Sequence, residues 1–166
     1  AMWNGRKWTD LPANVTGTAS SGSITTNSQV SDFSNRYFAL GYKASVPKTY
    51  VPDDNFEAYL ETHDASGNVV SVGDANSMGD GIANNDSVTT ANIIGVISLD
   101  VQNKNISDLK GIEDFNSLTQ VYCLENQLTS LDLSSNTALT KIHCSDNQLT
   151  SLDISNCTSC TELFCN

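Results

Sequence analysis

The chain has 166 residues, of which 39% are apolar and 16% charged, and its eight Lys and Arg against 19 Asp and Glu give a net charge of −11. Such an acidic surface repels phosphate backbones, which argues against a nucleic-acid partner. No apolar run approaches the roughly 20 residues of a membrane-spanning helix, so we expect no insertion into a membrane.

Residues 1–46 predict a β-rich segment. The stretch from Trp3 to Trp8 contains an Asn-Gly pair, which is typical of a tight turn between two strands. A run rich in Ser, Thr and Gly follows to about Ser31, and residues 36–42 predict a further strand. A segment this short cannot bury enough apolar area to fold alone. We expect it to pack against the next part of the chain or to be the end of a β-sandwich cut from a longer protein.

Residues 47–95 predict a helical cap. Asp53 and Asp54 precede an amphipathic stretch and can accept the free amides of a first helical turn. The apolar residues that follow share one helical face at i, i+3 and i+4: Phe56, Tyr59 and Leu60. We expect this face to cover the apolar end of whatever packs behind it.

The loop after this helix is rich in Asp, Asn and Gly and is similar to a calcium-binding loop. Asp74 and Asp80 lie six residues apart instead of four, and no acidic residue closes the loop at its twelfth position. The spacing therefore favours a solvated turn without a metal. We expect Asp86 and Ser87 to cap a short helix that begins at Val88.

Residues 96–166 repeat with a period of about 21 residues. Copies of one strand-like motif begin at Leu118, Leu139 and Cys160, at equal intervals along the chain. The half-repeat Asn-Gln-Leu-Thr-Ser-Leu-Asp begins at Asn126 and recurs at Asn147, after the same interval. A looser copy begins at Val96. A fixed period of this length is the signature of a solenoid in which identical coils stack on one another.

Each copy predicts the same local structure. Apolar side chains alternate along the motif, as in a strand with two inward positions, and a second apolar pair predicts the opposite wall of the coil. Asn126 and Asn147 fall where the chain must turn, and their amides can bond backbone groups of neighbouring coils. The fold predicted is an α/β solenoid, a right-handed coil of about three repeats behind the helical cap, with the last repeat incomplete.

These motifs resemble the internalin-like leucine-rich repeats of bacterial cell-surface proteins. The resemblance is to a 21-residue subclass with a Cys in the strand and an Asn-Gln-Leu-Thr-x-Leu-Asp half-repeat. Val51 to Leu60 is similar to the N-terminal cap of that family, and residues 1–46 are similar to the closing strands of a β-sandwich. The resemblance implies a secreted or surface-attached module for adhesion or recognition.

Five cysteines lie between residues 123 and 165. Cys123, Cys144 and Cys165 fall at the inward strand position, where they predict a column of small buried side chains rather than a metal or redox site. The sequence leaves open whether Cys157 and Cys160 form a local disulfide.

Catalytic chemistry is not predicted. The chain has two histidines, of which His63 ends the cap helix and His143 lies at an outward strand position. It contains no zinc-protease, nucleophile-elbow or phosphate-loop motif. We therefore expect no enzyme activity, no catalytic residue, no bound metal and no cofactor.

The predicted binding site lies on the outer face of the strands. Inward and outward positions alternate, so the stacked copies align their outward side chains into one face, the concave surface that solenoids use for binding. The predicted ligand-binding residues are Asp100, Gln120, Tyr122, Lys141, His143 and Phe164. The expected partner is a protein or glycan. Two alternatives stay open, namely a structural spacer and an accessory domain of a larger secreted enzyme.

Overall fold

The computed structural model describes residues 46–166 in full and, of the first 45 residues, only the backbone of four strands. The chain divides into two compact units, residues 1–45 and residues 46–166. Each unit is described by itself below.

The strands of the first unit form an antiparallel sheet in chain order, and their bounds are Met2–Trp3 (β1), Trp8–Thr9 (β2), Thr16–Ser20 (β3) and Ser23–Thr26 (β4). Trp3 pairs with Trp8, which confirms the two strands predicted around the Asn-Gly pair. The β3–β4 hairpin lies within the run that the sequence marked only as rich in Ser, Thr and Gly. The strand predicted at 36–42 lies outside the described residues.

The second unit begins with a cap made of one helix, a short strand pair and a single helical turn. Lys48–Tyr50 (β5) pairs antiparallel with Ser87–Thr89 (β6), and the helix α1 spans Asp54–Thr62. Asp53 is the N-cap of α1, where its carboxylate accepts the amides of Asn55 and Phe56. The predicted apolar face of α1 is buried, and the Phe56 ring stacks on Phe115 at a centroid distance of 6.3 Å.

The prediction that Asp86 and Ser87 cap a helix beginning at Val88 is wrong. Ser87–Thr89 is strand β6, and the helical turn α2 spans Thr90–Ile93 with no side-chain cap. The Val51 amide donates to the Asp86 carbonyl, and the Thr90 amide donates to the Pro47 carbonyl. Pairing with β5 therefore holds this stretch extended, so that the helix starts later than local sequence chemistry indicates.

The repeats stack as parallel strands on two walls. Four strands form the main sheet in the order β12-β10-β8-β7, and their bounds are Ser98–Asp100 (β7), Gln120–Tyr122 (β8), Lys141–His143 (β10) and Glu162–Phe164 (β12). The opposite wall has a 3₁₀ turn, Ile112–Asp114, followed by the parallel pair Ser130–Asp132 (β9) and Ser151–Asp153 (β11). The predicted solenoid of about three turns is confirmed.

Neighbouring coils are joined by the same bonds in each repeat. The amide of Thr140 donates to the Thr119 carbonyl at 2.8 Å, and that of Thr161 donates to the Thr140 carbonyl at 2.9 Å. The Asn126 amide nitrogen donates to carbonyls of its own and the preceding coil, and its oxygen accepts the amides of Lys104 and Ile106. Asn147 repeats this donation one coil later, as predicted from its position at the turn.

The acidic loop after α1 is anchored by glutamates of the helix. Glu61 is fully buried, and its carboxylate accepts the amides of Asp80 and Gly81. A Cβ on Gly79 would lie 2.1 Å from that carboxylate, so only glycine leaves room for it. Met78 packs into the core beside this anchor. The predicted turn is thus fixed at one end by backbone donation to a buried acid.

Within the residues that the structure describes, none of the helices has both the length and the apolar character needed to cross a bilayer.

Candidate binding face

The outward side of the main sheet carries one row of side chains in register. Asp100 is paired with Tyr122, Tyr122 with His143, and His143 with Phe164. The nearly constant length of the repeat produces this row because each coil advances by one strand. We call its three aromatic members, Tyr122, His143 and Phe164, the ring stripe.

The rings of the stripe contact one another edge to face. The centroids of Tyr122 and His143 are 5.0 Å apart with an interplanar angle of 82°, and those of His143 and Phe164 are 4.7 Å apart at 85°. This is the arrangement that aromatic pairs prefer. Tyr122 and His143 are half-buried, and Phe164 is 53% exposed. The stripe is therefore an ordered aromatic strip facing solvent.

A polar row flanks the ring stripe on one side. The Glu162 carboxylate accepts from Lys141 Nζ at 3.0 Å and lies 3.0 Å from His143 Nε2. These hydrogen bonds, first that of Lys141 and then that of His143, lower the pKa of the Glu162 carboxyl. The Tyr122 hydroxyl donates to Gln120 Oε1 at 2.9 Å. The polar side chains thus hold two of the three rings in place.

Asp100 stands at the end of the row, beside Tyr122. Its carboxylate accepts the backbone amide and the side-chain amide of Gln102, both at 3.2 Å. The structure thus places all six predicted site residues on one face of the main sheet. Among them, Tyr122–His143 and His143–Phe164 form ring contacts, Tyr122–Gln120 forms a hydrogen bond, and Lys141 and His143 meet through Glu162.

The inward side carries the cysteine column, which we define as Cys123, Cys144 and Cys165. Cys123 and Cys144 are buried, as predicted, and all five thiols of the chain are free. Burial raises the pKa of the Cys123 thiol to about 12 and also raises that of Cys144. The prediction that Cys165 is buried is wrong, and Leu163, assigned inward beside it, is 44% exposed. Leu163 belongs to β12, the last strand of the main sheet, and Cys165 directly follows it, so on this side no described coil covers them.

One acidic cluster has the geometry of possible metal ligands, and it was not predicted. Carboxylate oxygens of Asp54, Glu57 and Asp86 lie within 4.8 Å of one another. The buried Glu57 carboxylate already accepts the amides of Asn85 and Asp86, at 3.0 and 3.1 Å. Its structural role is therefore to hold the loop against α1.

The loop predicted to be a poor calcium site is organised around Asp80. Its carboxylate accepts from Lys48 Nζ at 2.7 Å and also from Asn85 and Ser87. Burial opposes ionisation of this acid, but the bonds from Lys48 and Asn85 outweigh it and lower its pKa. A calcium ion would need the Asp80 carboxylate as a ligand, but that carboxylate is already paired with the Lys48 ammonium. We therefore still expect no tight calcium binding here.

A groove at the start of the main sheet was missed by the sequence analysis. Tyr59 and His63 of the cap stack at a centroid distance of 3.9 Å, and Lys104 Nζ lies 5.7 Å from the Tyr59 ring. These residues line a cavity of about 310 Å³ with Asp100. The helical spacing of Tyr59 and His63 could indicate that they meet, but only the packing of the cap brings them to the first coil.

The stacked coils, the parallel main sheet and the asparagines at the turns define a leucine-rich-repeat solenoid. No protein-family model matches the chain. Internalin J of Listeria monocytogenes serotype 4b (strain F2365) is 40% identical to it over 52 residues, which are 31% of this chain and 6% of that protein.

A solved structure shows the same architecture. The functional domain of InlJ from Listeria monocytogenes, described as including a cysteine ladder, is 31% identical and matches with a TM-score of 0.56 over 72% of this chain and 24% of that one. This chain thus spans a small part of the length of either relative. The predicted resemblance to internalin-like leucine-rich-repeat proteins is thus confirmed in both sequence and fold.

Proposed function

We propose that this chain is a binding module of a secreted or surface-attached bacterial protein, and that it holds a protein or glycan ligand on the outward face of the main sheet. The similarity to Internalin J supports a role in recognition rather than catalysis. The role that we propose for the module is adhesion.

The ring stripe is the observation that carries the proposal. Tyr122, His143 and Phe164 lie on the solvent side, where their rings add nothing to the core. Exposed aromatic side chains that line up in this way are enriched at the energetic centres of interfaces. Since each ring already rests against its neighbour, a ligand would have to immobilise little side-chain motion, which favours affinity.

The polar row supports the same face. Glu162 and Lys141 satisfy each other's charge, so a ligand placed on the rings meets a fixed pattern of donors and acceptors. Gln120 and Asp100 extend the pattern along the sheet. Apolar rings beside ordered polar groups are the usual composition of a recognition surface.

The test is the double variant Tyr122→Ala with His143→Ala in the full-length protein. We expect about a tenfold or greater loss of binding to host cells, matrix proteins or arrayed glycans, because two central rings are removed. The matched control is Ser130→Ala with Ser151→Ala, which changes two outward positions in register on the opposite wall. Unchanged ligand binding by a double variant that keeps its circular-dichroism melting curve would contradict the proposal.

The proposed location is tested separately. Protease treatment of intact producing cells should remove the protein from the surface, or the protein should be found in the culture medium. Retention inside protease-treated cells would argue against it.

A further inference from the structure

The main sheet has one edge, along β7, that borders a groove. The carbonyl of Ile97 accepts from β8 and the amide of Val101 donates to it. Because backbone groups alternate in direction along a strand, those of Ser98 and Asp100 point away from β8. Within residues 46–166, the backbone amides and carbonyls of Ser98 and Asp100 have no backbone hydrogen-bond partner.

The groove follows this edge. The turn at residues 65–67 and the stretch 95–100 enclose a cavity of about 390 Å³. It adjoins the cavity beneath Tyr59 and His63, with which it shares Ser66, Gly67 and Asp100. Ile97 is 61% exposed at its margin, and a Cβ placed on Gly95 would meet no atom within 4 Å. The space beside the strand edge is thus open and partly apolar.

The one carboxylate that lines both cavities is that of Asp100. The pKa of the Tyr59 phenol is raised to about 12, first by burial and then by the negative charges of Asp100 and Asp64. Neither carboxylate forms an ion pair with a basic residue of the 46–166 unit. Lys104 lines only the cavity shared with Tyr59, where its ammonium lies over the Tyr59 ring. A basic group beside Asp100 would therefore find a free counter-charge.

We propose that the β7 edge binds an extended peptide carrying a basic side chain, which adds to the main sheet as a fifth strand. Its backbone would pair with Ser98 and Asp100, and its basic group would meet the Asp100 carboxylate. Open strand edges are templates for such pairing, in which main-chain bonds give affinity and side-chain sites give selectivity. A peptide fits better than a sugar because the edge offers amides and carbonyls at the strand repeat.

This site shares Asp100 with the candidate binding face but contains no ring of the ring stripe, so variants of the rings and variants of the β7 edge test the two proposals separately. The probe is the peptide Thr-Val-Arg-Val-Thr-amide carrying fluorescein on its N-terminal amine, measured by fluorescence anisotropy against the full chain at low salt. A peptide with Glu in place of Arg tests the charge, and one with alternate backbone nitrogens methylated tests the strand pairing. We expect about tenfold weaker binding of the Glu peptide and no binding of the methylated one.

The matched variants are Ser98→Pro and Ser130→Pro. Ser98→Pro removes an amide that faces the groove and leaves the bonds to β8 intact. Ser130→Pro makes the same change on β9. The residues that flank β9 bond toward β11 as those that flank β7 bond toward β8, through the Thr129 carbonyl and the Leu133 amide. We expect Ser98→Pro to abolish probe binding and Ser130→Pro to preserve it. Asp100→Asn should remove the preference for the Arg peptide.

Amide exchange followed by NMR gives a readout on the unaltered chain. The amides of Ser98 and Asp100 should exchange quickly in the free protein and become protected when the Arg peptide is added. Equal binding to folded Ser98→Pro and Ser130→Pro, loss in Ser130→Pro alone, or no protection under saturating probe would each overturn the proposal. Tyr122→Ala with His143→Ala should leave probe binding unchanged, so failure of the ring-stripe proposal is recognised separately.

Discussion

Asp53 connects the cap to the first coil through a single carboxylate. One oxygen caps α1 through the amides of Asn55 and Phe56, both at 3.0 Å. The other accepts the amide and hydroxyl of Ser107, at 2.8 and 2.7 Å, and the Asp108 amide at 3.1 Å. The sequence indicated the helix cap, but nothing local could indicate the bonds to residues more than fifty positions later.

Asp53→Ala should lower the free energy of unfolding by about 3 kcal/mol, since it removes a helix cap and several bonds to a charged acceptor. Its neighbour Asp54 is exposed, and Asp54→Ala should cost less than about 1 kcal/mol. Urea unfolding followed by circular dichroism measures both. Equal effects of the two variants would show that neither the helix cap nor the Ser107 bonds of Asp53 add stability.

Acid should weaken the protein through the same group. Burial alone would raise the pKa of Asp53, but hydrogen bonds from Ser107, Phe56 and Asp108 outweigh it and lower that pKa below the ordinary 3.8. The Asp53 carboxyl therefore binds a proton more readily in the unfolded chain than in the folded one. Its contribution to stability is complete above the unfolded pKa and is lost as pH falls through the lower folded pKa. The stability of Asp53→Asn should therefore fall less steeply below pH 4 than that of the unaltered chain.

Glu125 adopts a left-handed backbone conformation that suits it poorly. Its φ is 54°, and Asn103 and Asp146, at the corresponding places of the adjacent coils, have φ of 53° and 54°. Asn and Asp tolerate this region, whereas a longer side chain is strained there.

Glu125→Gly should therefore stabilise the protein by about 0.5–1 kcal/mol in thermal or urea unfolding. Ser145→Gly is the control, because Ser145 is not among the residues of positive φ in the 46–166 unit and glycine should destabilise it. A less stable Glu125→Gly protein would mean that the Glu125 side chain makes a compensating contact.

Among the structural elements, the turns with asparagine hold the coils in register. Asn126 is buried, and both the oxygen and the nitrogen of its side-chain amide form hydrogen bonds. Their partners are backbone groups of the preceding coil and of its own coil. Asn147 is half-buried, and its oxygen accepts only the Leu128 amide.

Asn126→Ala should therefore destabilise the protein by about 3 kcal/mol, because it leaves several buried groups unpaired, and Asn147→Ala should cost less. The exposed neighbours provide controls in Gln127→Ala and Gln148→Ala, which should change stability by less than about 0.5 kcal/mol. The predicted order is checked by urea unfolding, and a larger loss of stability for Asn147→Ala than for Asn126→Ala would contradict it.

Periodicity was sufficient to predict the strands of the main sheet and the row of outward side chains, because equal spacing fixes equal registers. It could not locate the β7 edge groove, since Tyr59 and His63 reach the first coil only through packing of the cap. Local helix signals at Asp86 failed because a distant strand, β5, determines the conformation there. That the ring stripe binds a ligand stays a prediction.

At the scale of the whole 46–166 unit, burial decreases from the cap toward the last described coil. The core lies around the cap and the first coils, while Leu152, Ile154 and Cys160 are only partly buried. The cysteine column follows the same gradient, with Cys123 and Cys144 buried and Cys165 exposed. Repeat position alone predicted three equally buried thiols, because it takes no account of which neighbours cover each coil.

Thiol modification should follow this gradient. At pH 8 iodoacetamide should alkylate Cys165 in the folded protein and reach Cys123 and Cys144 only after unfolding, because burial suppresses their thiolates. Mass spectrometry of the proteolytic peptides gives the order. Alkylation of Cys123 as fast as Cys165 would contradict the difference in burial, and stoichiometric zinc in the purified protein would contradict free thiols.

The threonine bonds between coils have a genetic consequence. Thr161 bonds to Thr140 as Thr140 bonds to Thr119, so every coil recognises its predecessor by the same atoms. A DNA segment encoding one coil can therefore be duplicated or deleted in frame, and the new junction restores each bond that was interrupted. Recombination between segments that encode such coils would lengthen or shorten the row of outward side chains by one coil at a time, so that natural alleles should differ by whole coils.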